Sequence, residues 1–470
     1  MISNIIIKEI LTLIKTMKVV VTIIVIFSLF SINAVISVKN YKEHLLNRDE
    51  INIKTSQSLE KNAEQLVNLV YVEQQLVKDI PKYVFLSEAS EEVLPNGLRL
   101  TYFTESLPQY YKFQNLFYNT YNAIDWSFII LFVVSFFCIV LSYDAFSGEK
   151  ENGTLKLMLS NSIPRWKIII GKFGGIFLII TLSVLVGMLI NLIIINISST
   201  IPIKASDILV IALFLFGSVL FIAFNILITF WVSCITKKSS VSLTIILTIW
   251  IVLNIVFPNI AWLFAEQLHP IPSFSQVTEK EKYETKQMYE EKKYSTEMRS
   301  SWIGKAPNER LLSRVEGINE RTKIHNYLWR DYYNQMVKQT EIAINLCKLS
   351  PFSVYRFFNE ALSYNGYYGY LRFHDQALIY QSTFQRFINE TDNQDSKSFH
   401  LIWQEHKSIV KHFMSSKPVD FNSIPRFENH HSSIMVKLAN HNMSDLLILF
   451  IWTFVCLVGT FISFNKYDIR

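Results

Sequence analysis

The chain has 470 residues, 50% of them hydrophobic, 14% aromatic and only 18% charged, and its mean hydropathy is +0.24. An ordinary soluble domain carries roughly a quarter charged residues, and here charge is missing from a few long runs and gathered between them. The formal net charge of +6 is therefore no argument for nucleic acid as a partner; in a membrane protein, placement of the positive charge sets orientation.

Residues 1–17, MISNIIIKEILTLIKTM, place Ile6, Ile10, Leu13, Ile14 and Met17 on one helical face and most polar side chains elsewhere. That pattern predicts an amphipathic helix lying in the membrane interface, or a plain extension of the first span. Charge-free runs follow at Val19–Val38, Trp126–Tyr143, Phe173–Ile203, Ile208–Ile235, Ser239–Ala265 and Leu446–Asn465. Each is near or above the ~20 residues that cross a bilayer, and none carries the polar stripe of a soluble core helix. The first run exceeds the apolar length of a signal peptide, and five more follow it. The expected fold is thus an all-α integral membrane protein with transmembrane helices at 18–38, 126–143, 171–197, 208–235, 239–265 and 445–465. Two long loops, 39–125 and 266–444, are expected to pack one mainly helical extracytoplasmic domain.

The short connections carry Lys8, Lys15, Lys18, Lys150, Lys156, Arg165, Lys167, Lys237, Lys238, Lys466 and Arg470 on one side, against Lys204 alone on the other. The excess of positive charge predicts that both termini, the 144–170 loop and the 466–470 tail are cytoplasmic. Within 266–444, HPIPS at His269–Ser273 breaks the chain before a charged stretch read as a solvent-exposed helix. The tyrosines Tyr364, Tyr367, Tyr368 and Tyr370 suit a domain core better than a substrate surface.

Chemistry-bearing patterns are sparse. No G-x-x-x-x-G-K-[ST] loop occurs: Gly148–Thr154 lacks the lysine, and Gly171-Lys172 is followed by Phe173. The chain therefore has no phosphate cradle of that kind. No carboxylate lies in the centre of a span, which disfavours proton coupling. His400, His406, His412 and His430-His431 lack the i, i+3 or i+4 spacing of a helical metal site, and Cys138, Cys234, Cys347 and Cys456 form no ligand pair. No cofactor or metal site is expected. Gly171 and Gly175 form a G-x-x-x-G pair suited to close helix packing, and Asn33, Asn191, Asn225 and Asn254 are polar groups inside spans. Pro258 is expected to end or kink the fifth span.

The most informative segment is Ser142–Gly175, SYDAFSGEKENGTLKLMLSNSIPRWKIIIGKFGG. Two short amphipathic helices fit it, Leu155–Leu159 opened by Gly153-Thr154 and Trp166–Ile170 opened by Pro164. Each is too short to be stable alone, and together they suit either a docking surface for a soluble partner or a loop that packs under its own bundle. The run Asp144-x-x-x-Gly148-Glu149-Lys150-Glu151-x-Gly153-Thr154-Leu155, then Leu159-Ser160, Pro164-x-Trp166 and Gly171-Lys172, resembles the second-to-third-span loop of ABC-2 type transporter permeases. Topology and the two large insertions resemble the subgroup of multi-copper-enzyme-maturation and gliding-type permeases. That subgroup's second patch is matched by Leu349-Ser350-Pro351, Phe358 and Ala361-Leu362, but Asn365-Gly366-Tyr367 departs from its Gly-Thr.

The resemblance implies a permease subunit of an exporter in the bacterial inner membrane, paired with a second permease subunit, the same chain or a related one. A separate ABC ATPase would carry ATP and Mg. Closure of the ATPases would be passed up through Gly153–Ser160 and Pro164–Ile170, with Glu149, Glu151, Gly153, Thr154, Leu155, Lys156, Leu159, Arg165 and Trp166 forming the docking loop. Membrane lipid is the remaining partner. The competing classes are a membrane-anchored sensor or scaffold, which would not need such a loop, and an intramembrane enzyme, for which no set of acid, base, nucleophile or metal ligands lies at membrane depth.

Overall fold

Hydrocarbon offers no partner to a backbone amide or carbonyl, so a chain that crosses it must satisfy those groups within its own helices. The computed structural model describes residues 2–79, 82–88, 94, 97–104, 124–160, 164–429 and 443–466. Among them, six helical stretches are long and apolar enough to span: Met17–Asn62, Trp126–Glu151, Arg165–Ser198, Ile208–Ile235, Ser239–Leu268 and Met443–Asn465. The protein is an all-α, multi-pass integral membrane protein. Its only described strands, β1 (Gln74–Val77) and β2 (Gly97–Leu100), form one antiparallel pair outside the spans.

A first helix, α1 (Ile2–Ile14), is followed by α2 (Met17–Asn62), which has 46 residues. At 1.5 Å per residue α2 is about 70 Å long, more than twice the ~30 Å of hydrocarbon. It runs out of the bilayer and joins α3 (Leu66–Val70). The second span is built from α4 (Trp126–Phe128), a π-helical segment at Ile129–Val134 and α5 (Ser135–Ser142). Asp125 caps its start, its carboxylate accepting from the amides of Phe128 and Glu88 at 2.6 and 2.7 Å. The connection to the third span holds α6 (Ser147–Glu151) and α7 (Thr154–Ser160). The third and fourth spans are α8 (Arg165–Ser198) and α9 (Ile208–Ile235).

The fifth span is α10 (Ser239–Ile251), a π segment at Val252–Val256 and α11 (Phe257–Leu268). Pro258 therefore neither ends the helix nor leaves it unaltered: the missing amide follows directly on the π turn, and the helix continues for ten more residues to Leu268. The two π-bearing spans meet at Trp250, whose indole Nε1 donates to Ser135 Oγ at 2.9 Å. Polar groups also join spans at Asn191, which donates to Asn33 Oδ1 and to the Phe30 carbonyl, both at 2.7 Å. Asn225 instead bonds the Phe221 carbonyl of its own helix at 2.8 Å.

The long distal segment forms α12 (Phe274–Lys292), α13 (Glu309–Cys347), α14 (Pro351–Ser363), α15 (Gly366–Asn393) and α16 (Lys407–Val410), before the last span α17 (Met443–Asn465). A capping box opens the charged α12: Gln276 N donates to Ser273 Oγ at 3.3 Å, and Ser273 N to Gln276 Oε1 at 2.7 Å. Leu59, Leu66 and Val70 share one core with Trp302, Phe384, Trp403 and Phe413, so both long loops build a single body. Tyr367 and Tyr370 are core residues of a second cluster with Trp262, Trp329 and Tyr333. Among the described residues no group of three or more potential ligands could hold a metal; His430-His431 and Arg470 lie outside them.

Helix α14 does not stay in the distal domain. It packs into the bundle against α9 and α17. Tyr355 stacks on Phe221 with centroids 4.4 Å apart and shares a hydrogen bond with Ser218 at 2.8 Å. Ser350 Oγ donates to the Leu253 carbonyl, freed by the π turn, at 2.7 Å. A buried Arg356–Glu360 pair at 2.7 Å lies on the same helix. Gly217 lets Phe358 lie against α9: a Cβ there would sit 2.5 Å from the ring. Phe358→Ala is expected to lower the stability of the detergent-purified protein by about 3–5 kcal/mol, read by chemical or thermal unfolding.

In the distal domain His374 is buried and stacked on Tyr333 at 4.1 Å, and neither ring nitrogen has a hydrogen-bond partner among the described residues. Burial, helped by the nearby Arg330 charge, pushes its pKa from 6.5 down to about 4. The unfolded chain takes up this proton near 6.5 while the native one resists it, so stability is full above 6.5 and falls as pH drops towards 4. The expected loss is about 3 kcal/mol by pH 4. His374→Phe should flatten that part of a stability-against-pH curve.

Candidate functional site: the loop between the second and third spans

Each end of a helix leaves about four backbone groups without an intrahelical partner, and the α6 segment supplies side chains to several such ends. Ser233 Oγ, near the end of α9, accepts from the amides of Phe146 and Ser147 at 3.1 and 3.0 Å. Lys150 reaches back over α9, its ammonium donating to the carbonyls of Ser233 at 3.4 Å, Thr236 at 3.0 Å and Cys234. A cation on these carbonyls also meets the negative end of the helix dipole. Glu151 does the converse for α10, accepting from Ser239 N at 3.1 Å. Arg165, at the start of α8, donates to the last carbonyls of α17, Phe464 at 3.1 Å and Asn465 at 2.7 Å. Three spans thus have ends held by one connection.

Glu149 points the other way. Its Oε1 lies 2.8 Å from Lys172 Nζ, and the same ammonium is 3.5 Å from Glu9 Oε1 of α1. Lys172 is buried in α8. The glycines around it let α1 lie flush on α8: added Cβ atoms would come within 2.5 Å of Ile5 at Gly171, 3.0 Å of Ile6 at Gly174 and 2.8 Å of Glu9 at Gly175. The seated face of α1 is therefore Ile5, Ile6, Glu9, Ile10 and Leu13. Ile14 and Met17, read from the sequence as part of the apolar face, are 53% and 74% exposed. The first span joins the loop through Lys18, whose ammonium is 3.1 Å from Asp144 Oδ2.

Beyond this clamp the chain turns at Gly153, whose φ of +73° is a left-handed conformation that glycine adopts without strain. In α7, Leu155 is fully buried and Met158 and Leu159 pack against the bundle core. Lys156 and Thr154 face outward, and Leu157 is 70% exposed. The stretch read as a second short helix, Trp166–Ile170, is instead the first turns of α8, which begins at Arg165. An apolar run with no breaker after Pro164 gives the helix nothing to stop it. Trp166 remains 45% exposed there, with the Lys167 ammonium 5.5 Å from its ring centre. The nine residues singled out in this loop thus divide: Leu155, Leu159 and Glu149 face the bundle, Glu151 and Arg165 hold helix ends, and Gly153, Thr154, Lys156 and Trp166 are at the surface. Asp144, Lys150 and Lys172 belong to the motif read in the sequence but had no role assigned there, and Ser147, Ser233 and Glu9 are the members that sequence reasoning missed.

The family model for ABC-2 family transporter proteins matches residues 3–469. The chain belongs to the ABC-2 transporter family. Two probable ABC transporter permease proteins named NosY are similar to it locally, that of Stutzerimonas stutzeri at 45% identity and that of Pseudomonas aeruginosa at 41%, each over 56 residues. Those matches cover 12% of this chain, and the chain spans only 20% of the length of either relative. Family membership and six helices long and apolar enough to span make it a multi-pass membrane protein of that family.

The clamp and the tip differ in what they hold, so their variants should differ in stability. Lys150→Met removes three charge-assisted hydrogen bonds and is expected to cost about 2–3 kcal/mol. Lys156→Met on the exposed tip should stay within ~0.5 kcal/mol. Unfolding of the two purified variants side by side measures the contrast.

Proposed function

We propose that this chain is the permease subunit of an exporter, driven by a separate ABC ATPase that docks on the α6–α7 connection, which faces the cytoplasm. The observation that carries the reading is the build of that connection. An exposed tip of Thr154, Lys156 and Leu157 continues into a segment bonded to α2, α8, α9 and α10 and, through Lys172 of α8, linked to α1. A load on the tip is thereby delivered to most of the bundle. A loop serving only to connect two spans needs neither the exposed leucine nor ties to so many helices.

Orientation follows from charge. The face with α1 bears Lys8, Lys15, Lys18, Lys150, Lys156, Arg165, Lys167, Lys237 and Lys238 in its short segments, and such excess marks the cytoplasmic side. The distal domain then lies outside the cytoplasm. With no phosphate loop in this sequence, nucleotide and Mg belong to the ATPase chain, and a second permease subunit completes the assembly. A sensor or scaffold role is the competing reading, favoured by the unbroken α2 that ties the loop's face to the distal core.

The test is co-purification in detergent with the cytosolic ATPase expressed alongside. The wild-type chain is expected to retain the ATPase. Leu157→Asp, which puts a charge on a side chain that is 70% exposed, should reduce the retained ATPase about tenfold, an interface loss of ~1.4 kcal/mol. Equal retention by both chains would remove the tip from the interface, and no retention by either would leave the sensor reading in place.

A further inference from the structure

Lys172 sits where three elements meet: α1, the α6 segment and the third span α8. Its side chain is 7% exposed, against 21% for each of Glu9 and Glu149. One ammonium faces two carboxylates, 2.8 Å from Glu149 and 3.5 Å from Glu9. The other oxygen of Glu149 is buried and has no hydrogen-bond partner among the described residues. The cluster is therefore one cation short, and its negative charge is held in place by a single lysine.

The inequality of the two distances has a mechanical meaning. A buried ammonium stripped of its partner is heavily penalised, so a lysine with a single carboxylate would resist any withdrawal of that carboxylate. Lys172 has a second one within reach on a different helix. When α6 moves, the ammonium can trade Glu149 for Glu9 without ever being unpaired, and the two positions form the kind of discrete alternative that transmits a displacement. Gly171 and Gly175 on either side keep α1 close enough for the exchange.

We infer that Lys172 is the positioning residue through which displacement of the α6–α7 connection reaches both α8 and α1, and that Glu149 acts inward on it and does not touch the ATPase. This rests on the ATPase-docking reading above. It assigns a role to a lysine at the mouth of a span and takes Glu149 out of the docking surface.

A charge exchange tests it. Full-length Glu149→Lys, Lys172→Glu and the double variant are co-expressed with the ATPase, and retention of the ATPase and hydrolysis rate of the purified complex are measured. Each single change leaves the cluster with either two cations or three carboxylates, whereas the double variant restores its composition. The expected result is retention within about twofold throughout, a hydrolysis rate lowered about tenfold by each single change, and recovery in the double variant, the signature of a directly interacting pair. Lys172→Arg, which keeps the charge, should behave as wild type.

Loss of retention in Glu149→Lys that the second change does not repair would make Glu149 a direct ATPase contact and overturn the proposal. So would wild-type rates in all the variants. If the wild-type chain itself retains no ATPase, the functional reading falls first. The cluster is then judged on the chain alone, where a melting temperature lowered by each single change and not recovered in the double variant shows that the pair does not act as described.

Discussion

Helix ends that stop at a membrane surface leave carbonyls and amides that the hydrocarbon cannot satisfy, and here the chain meets that demand with side chains drawn largely from one connection. Lys150 over the end of α9, Glu151 at the start of α10 and Arg165 over the end of α17 each answer to a different helix. Because these bonds are charge-assisted, they are stronger than ordinary backbone pairs. The relative heights and tilts of three spans are therefore set by residues within 16 positions of one another in sequence. Any partner that grips the neighbouring α7 grips the reference point of the bundle.

The opposite end is built on a different principle. There α14 enters the bundle with aromatic rings: Phe352 and Tyr355 lie against Phe221 of α9, and Phe358 lies against Gly217. Two π segments accommodate the intrusion. The one in the fifth span frees the Leu253 carbonyl for Ser350, and the one in the second lies beside the Ser135–Trp250 bond. One face is tuned by charge and hydrogen bonds, which exchange partners readily, and the other by close aromatic packing, which does not.

The spans were legible because length and freedom from charge suffice to define a membrane helix, and α12 because a breaker-rich HPIPS precedes a continuous charged stretch. What could not be read was anything set by contacts distant in sequence. Glu149 and Lys150 are adjacent and both charged, the usual mark of a solvated loop, yet one turns inward to Lys172 and the other back over α9. Glu9 looked like the polar side of α1 until Lys172, 163 positions later, gave it a buried partner. Helix α14 read as domain because its Arg356 and Glu360 keep it from looking apolar, and those two charges satisfy each other. From sequence the loop runs to residue 170 and a span starts at 171, whereas α8 begins at Arg165, for a local reason: Arg165 and Lys167 resemble loop residues, although a cation at a membrane surface is as much at home in the first turn of a span.

The 46 residues of α2 run without a break from Met17, beside the Lys18–Asp144 pair, to Asn62, beside the hydrophobic core that Leu59 shares with Trp403 and Phe413. A rod about 70 Å long converts small rotations into large excursions: tilting it by about 5° shifts one tip by ~6 Å relative to the other. Such geometry makes the distal domain a pointer for events on the opposite side of the bilayer, whether or not any molecule has crossed.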